Sequence, residues 1–94
     1  MNDAIKKITI NTILEAAPDS TFNEDDLPDT ARFYEIGIDS ISMLSILLKL
    51  EKRLSVDLVS LGEDIEAPVT VGDLFQLVEK LLQYATTNNQ VNNE

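Results

Sequence analysis

Apolar residues recur at helical spacing in three stretches of the chain, most clearly in residues 40–54. There the apolar side chains form two adjacent rows, and the polar side chains take the opposite side of the predicted helix. The first row suits a core-facing stripe and consists of Met43, Ile46, Leu47, Leu50 and Leu54. The second row consists of Ile41, Leu44 and Leu48. One row is enough to face a core, so the second row needs another explanation.

A first helix is predicted for residues 3–17, where Ile10, Ile13 and neighbouring apolar residues follow a helical face. Asn2 or Asp3 can serve as the N-cap. Pro18 ends the helix, because its ring cannot continue the helical hydrogen bonding. The first helix therefore has a defined start and a defined end.

A last helix is predicted for about residues 71–84, after a Thr70–Asp73 pair that is typical of a capping box. A short helix is predicted around residues 62–67, before Pro68. The polar, Asn-rich residues 86–94 are predicted to be a disordered tail, which leaves residues 1–85 as the domain. The predicted core consists of Ile10, Ile13, Leu14, Ile46, Leu47, Leu50, Leu54, Leu74, Phe75 and Val78.

The segment between the first two long helices, residues 18–39, shows no sustained alternation of apolar and polar positions. It contains isolated apolar residues that can pin it to a core: Phe22, Leu27, Phe33, Ile36 and Ile38. A loop of this length is uncommon in a compact domain and is often functional. The pattern predicts an all-α fold with three substantial helices, one short helix and one long loop.

Composition narrows the classes of function. A chain of 94 residues has room for one core. It contains neither Cys nor His, which excludes thiolate chemistry, a Ser-His-Asp triad and the commonest metal ligands. A net charge of −10 argues against nucleic acid and anionic membranes as partners, and no apolar run is long enough to span a bilayer. We expect a monomeric, cytoplasmic domain without a metal site.

The negative charge is unevenly distributed along the chain. Residues 19–40 hold seven acidic side chains and one basic side chain. Residues 41–58, in contrast, hold three basic and two acidic side chains. The long loop is therefore strongly acidic, whereas the predicted second helix is mildly basic.

The residues from Ile36 to Ile41 form the most informative stretch of the sequence. Gly37 permits a tight turn, and either Asp39 or Ser40 can cap the helix that follows. Ser40 would then lie at the positive end of that helix, where backbone N–H groups and the helix dipole stabilise a phosphate. On this dipeptide alone, an ordinary helix cap is a better explanation of the pattern than a binding site.

In its wider context the stretch resembles the acyl carrier and peptidyl carrier protein family. The family pattern is an apolar residue, Gly, any residue, Asp-Ser and an apolar residue, and it is matched in order by Ile36, Gly37, Ile38, Asp39, Ser40 and Ile41. The resemblance covers about residues 3–85 and includes the stretches 30–33 and 69–71 and the acidic first loop. It implies a four-helix bundle with a long loop between helices one and two.

The resemblance also implies a function. Ser40 would be the attachment site of 4′-phosphopantetheine, whose thiol carries acyl or aminoacyl groups as thioesters. The domain would be a carrier and not an enzyme, served by a phosphopantetheinyl transferase and by loading and synthase enzymes. Gly37 and Asp39 would support the motif, although Asp39 can equally have a purely capping role.

The second apolar row matches the surface that docks on partner enzymes in this family, which implies docking roles for Ile41, Leu44 and Leu48. The alternative is that these side chains pack against the short third helix or against Ile65. That alternative is as good as docking for Leu48, and weaker for Ile41.

The second helix departs from one feature of the family. Carriers of primary fatty acid synthesis have a strongly acidic second helix, whereas this helix carries Lys49, Lys52 and Arg53. We therefore favour a specialised polyketide, nonribosomal peptide or related pathway, with primary fatty acid synthesis as the alternative. A noncatalytic helical adaptor is the alternative of a different class.

Overall fold

The computed structural model describes residues 2–17, 27–59 and 66–92, with side chains described up to residue 84. This part of the chain is all-helical and contains no strand, apart from an isolated bridge between Arg32 and Thr70. None of its helices combines the length and the apolar character needed to cross a bilayer. The all-α prediction is confirmed for the described residues.

Three α-helices and one 3₁₀ helix follow one another along the chain: α1 (Asp3–Ala16), the 3₁₀ helix (Phe33–Ile36), α2 (Ser40–Leu54) and α3 (Val71–Asn92). The ends of α2 are those predicted, and Asn2 is the N-cap of α1, where its side chain accepts the Ala4 N–H at 2.7 Å. The 3₁₀ helix was not predicted, because one turn is too short to produce a periodic pattern.

The last helix is longer than its apolar pattern predicts. α3 continues to Asn92, beyond the predicted end of this helix at about residue 84. The sequence after Gly72 contains neither Gly nor Pro, so no helix-breaking residue interrupts the helix once it has started. The domain boundary at residue 85 stays a prediction.

The predicted short helix around residues 62–67 is not confirmed. Most of it lies outside the described residues, and Glu66 and Ala67 are not helical. Before the gap, Leu58 and Val59 lie in a 3₁₀ turn. Within residues 2–17, 27–59 and 66–92, three α-helices are therefore established, and a fourth is not.

The core joins all three helices and the loop before α2. Seven of the ten predicted core residues are buried, and Leu14, Leu47 and Leu54 pack at its edge. The loop contributes four buried side chains, as predicted: Leu27, Phe33, Ile36 and Ile38. Phe22 lies outside the described residues. Val56 and Leu77 are buried although the stripes did not predict them.

Backbone hydrogen bonds tie the loop before α2 to the start of α3. Two of them use N–H groups in the first turn of α3, which have no partner within their own helix, and in the third the loop donates to a carbonyl just before α3. Three bonds connect the segments: Phe33 N–H to Val69 O (3.0 Å), Val71 N–H to Ala31 O (2.9 Å) and Gly72 N–H to Asp29 O (2.8 Å). At Gly72 a Cβ atom would lie 3.1 Å from Asp29 O, so a side chain at this position would require the Asp29 carbonyl to shift by a few tenths of an ångström. The predicted Thr70–Asp73 capping box is confirmed beside this contact.

An ion cluster connects the last turns of α1 and α2. Arg53 donates to both carboxylate oxygens of Glu15, at 2.9 and 2.8 Å, and to the buried Thr12 hydroxyl at 2.8 Å. Lys49 Nζ lies 3.5 Å from Glu15 Oε1. The hydrogen bonds from Arg53 are the main reason why the pKa of Glu15 lies below its ordinary value of 4.5.

This cluster predicts a pH-dependent contribution to stability. Because the folded state lowers the pKa of Glu15, the contribution is complete above about pH 4.5 and is lost as the pH falls through the lower folded-state value. Glu15→Gln should therefore lower the melting temperature at pH 7 and have much less effect at pH 3. Thermal melts at both pH values measure this, with the exposed Glu66→Gln as control. A deficit of equal size at pH 3 would assign the loss to packing.

Candidate functional site

Ser40 is the first residue of α2 and is exposed. The cap of this helix is Asp39, whose Oδ1 accepts the Ser42 N–H at 2.8 Å. Of the two caps that the sequence allows, the structure therefore selects Asp39. The Ser40 side chain is left at the solvent-facing N-terminus of a 15-residue helix, where the helix dipole is positive.

The turn before Ser40 is held by a left-handed glycine between two buried isoleucines. Gly37 has φ 81° and ψ 19°, a conformation that other residues adopt only with strain. Ile36 and Ile38 on either side of it are buried in the core. The Ile38 N–H donates to Phe33 O at 3.0 Å and closes the turn. Gly37 thus allows the side chains of Ile36 and Ile38 to be buried in the core, while Asp39 and Ser40 are exposed to solvent.

The electrostatics of the site favour an ionised acid and leave the serine without a base. The hydrogen bond from the Ser42 backbone N–H lowers the pKa of Asp39, so its carboxylate is charged at neutral pH. The chain has no His to act as a general base. In the described part no group of His, Cys, Asp or Glu side chains is placed to hold a metal ion. Ser40 can therefore be the acceptor in a reaction that another protein catalyses.

An open apolar cleft of about 490 Å³ adjoins Ser40. The 3₁₀ helix, the turn, the first half of α2 and residues 67–69 form its walls. Its lining is mostly apolar: Phe33, Tyr34, Ile38, Met43, Leu44, Leu47, Ala67, Pro68 and Val69, with Asp39 and Ser40 at the side. The sequence alone does not reveal this cleft, because its walls come from separate segments of the chain.

The second apolar row of α2 lies on the surface. Ile41 is 79% exposed, Leu44 is 56% exposed and Leu48 is 48% exposed. Together with Ser45, Lys49 and Lys52, they line a shallow groove of about 270 Å³. Ile65, the alternative packing partner, lies outside the described residues. In the described part the row is free to meet a partner.

The three basic side chains of α2 do not form one patch. Arg53 and Lys49 interact with Glu15 on α1, as described above, and Arg53 belongs to the contact between the helices. Lys52 lines the groove beside the apolar row and makes no ion pair within the described residues. The sequence places all three on the polar side but cannot reveal this division.

Comparison with known families supplies independent information about this site. A family model described as a phosphopantetheine attachment site matches residues 10–86. The match includes the turn at Gly37, Ser40 and the whole of α2. Neither the curated proteins nor the solved structures contain a match to the chain.

Proposed function

Because the chain belongs to the acyl and peptidyl carrier protein family, whose domains bear covalent 4′-phosphopantetheine and are not enzymes, we propose that Ser40 is the attachment residue. The observation that carries this proposal is the exposure of Ser40 at the first position of α2. No other serine of the chain directly follows a Gly-X-Asp sequence, as Ser40 follows Gly37–Asp39. The thiol of the attached group holds acyl or aminoacyl cargo as a thioester.

The residues around Ser40 fit this group. The positive end of α2 stabilises the negative charge that a phosphodiester brings to the Ser40 oxygen. Asp39 orients the first turn of α2 through Ser42, and Gly37 keeps the turn short. The apolar cleft beside Ser40 offers a surface that excludes water from an apolar part of the arm or of its cargo.

The experiment is to treat the protein with coenzyme A and a phosphopantetheinyl transferase and to record the intact mass. We expect a gain of one phosphopantetheine group, and peptide mapping should locate it on Ser40. The adaptor hypothesis predicts an unchanged mass. A gain located on another serine would contradict the assignment of Ser40.

The fold and the partners extend the proposal. Residues 1–85 form the carrier domain, and a fourth, short helix between α2 and α3 completes a four-helix bundle. Ile41, Leu44 and Leu48 dock on the partner enzymes, which are the transferase, a loading enzyme and a synthase. Their exposure beside Ser40 supports this role, because a docked partner then has the attachment residue within reach.

The proposed pathway is specialised: polyketide, nonribosomal peptide or a related synthesis, and not primary fatty acid synthesis. The support is the charge of α2, in which Lys49, Lys52 and Arg53 outnumber Glu51. An enzyme with basic side chains that bind carboxylates on this helix would face cationic side chains here. Like charges in opposition disfavour the complex.

A predicted consequence is poor turnover of the holo protein by the elongation enzymes of primary fatty acid synthesis. Lys52→Glu should improve turnover, most clearly at low salt, where charges are least screened. Lys52 is the suitable position because reversal of Lys49 or Arg53 would also disturb the contact with Glu15. Initial rates of elongation measure the effect. Efficient elongation of the unmutated protein would contradict the pathway proposal and leave the attachment site intact.

A further inference from the structure

The groove on α2 has an apolar floor and a basic end. Ile41, Leu44 and Leu48 form the floor, and Lys49 and Lys52 line it at the end distant from Ser40. No acidic side chain lines the groove among the described residues. The groove therefore differs in sign from the chain as a whole, which carries −10.

We propose that this groove binds a protein surface in which an apolar side chain is flanked by carboxylates. The proposal rests on the proposed function, since it assigns the chemistry of the enzyme surface on which the carrier docks. The apolar floor supplies the contact area, and the lysines supply complementarity to acids. At physiological ionic strength charges are screened over about 8 Å, so the lysines that line the groove set its local potential more than charges farther away do.

The two lysines contribute unequally. Lys49 lies 3.5 Å from Glu15 Oε1, and this carboxylate also binds Arg53. Lys52 is exposed, and within the described residues it has no carboxylate partner. The charge of Lys52 is therefore available to a partner. The charge of Lys49 contributes less, because Glu15 partly neutralises it.

The position of the charges gives the groove a direction. Asp39 is ionised at the start of α2, whereas Lys49 and Lys52 lie nine and twelve residues after Ser40. At 1.5 Å per residue the lysines lie about 14–18 Å from Ser40 along the helix axis. The partner must therefore carry its carboxylates about 15 Å from the point at which it receives Ser40. The apolar floor alone would allow α2 to dock in either direction.

The test uses the unmodified full-length protein and two synthetic amphipathic helical peptides. The peptides share one leucine face, and this face is flanked by Glu in one peptide and by Lys in the other. Fluorescence anisotropy titrations at low salt compare wild type with Lys52→Glu. We expect Lys52→Glu to weaken binding of the Glu peptide by up to about fivefold, the upper range for one exposed ion pair, and to strengthen binding of the Lys peptide.

Three control variants separate the local effect from the overall charge, from the apolar contact and from the attachment residue. Lys7→Glu on α1 makes the same change in net charge away from the groove, and it should leave the difference between the peptides almost unchanged. Leu44→Ala should weaken binding of both peptides. Ser40→Ala should bind both peptides as wild type does, so failure of the attachment proposal would not affect this test.

Three results would overturn the proposal. One is that the Glu peptide shows no saturable binding to the wild-type protein. Another is that Lys52→Glu leaves its affinity unchanged. The last is that Lys7→Glu has the same effect as Lys52→Glu, because the peptides would then respond only to the net charge.

Discussion

Replacing Ser40 with alanine is expected to abolish the mass increase that coenzyme A and a phosphopantetheinyl transferase produce in the wild-type protein. The loss should be complete, because the substitution removes the oxygen to which the group is attached. The helix should remain intact, since its cap is Asp39 and not Ser40. Intact-mass spectrometry gives the answer, and circular dichroism confirms that the variant is folded.

A matched control for this variant is available on the same helix. Ser45 is also exposed on α2 but lies on the groove and outside the motif, so Ser45→Ala should be modified fully. Modification of Ser40→Ala would move the attachment site to another residue. Loss of modification in both variants would instead indicate that the transferase requires the groove.

Truncation of Leu50 to alanine is expected to have the largest effect on stability. Leu50 is 1% exposed in the centre of the core, where its removal leaves a cavity as well as lost apolar contacts. The free energy of unfolding should fall by about 2–5 kcal/mol, a large part of the total for a domain of this size. Chemical denaturation with a two-state fit measures the change.

The same helix provides the control for this prediction. Leu48 is 48% exposed on the groove, so Leu48→Ala removes the same atoms from a position that is partly in water. Its effect on unfolding should be much smaller than that of Leu50→Ala. Equal losses at both positions would mean that Leu48 is covered by another part of the chain, which would remove it from the docking surface.

The elements that could be predicted are those whose signals are local. The apolar spacing within α2, the Thr70–Asp73 pair and the order of residues around Gly37 each lie within a short window, and the structure confirms them. The burial of Ile46 and Leu74 could likewise be predicted, because both occupy the centre of a well-phased stripe. Helical periodicity alone carries this information.

The features that were missed depend on contacts between distant segments. Glu15 and Arg53 are separated by 38 residues, and their charges give no hint that they pair with each other. The cleft beside Ser40 likewise forms because Val69 lies next to Phe33. The backbone hydrogen bond between these residues is visible in the structure, and the sequence gives no sign of it. Helix α3 exceeds its apolar stripe because a polar sequence without Gly or Pro can continue a helix that packing has started.

The backbone hydrogen bonds between the loop and α3 have a consequence for how the site forms. Because Asp29, Ala31 and Phe33 are bonded to residues about 40 positions later, we expect the turn at Gly37 to become fully ordered only when α3 has docked. Local unfolding of the first turn of α3 would release the whole segment up to Ser40 as one cooperative unit. The amide hydrogens of Phe33, Val71 and Gly72 should therefore show the same free energy of opening in hydrogen exchange, after correction for the intrinsic exchange rate of each residue. The presentation of Ser40 is thus a property of the assembled domain, and α2 alone does not provide it.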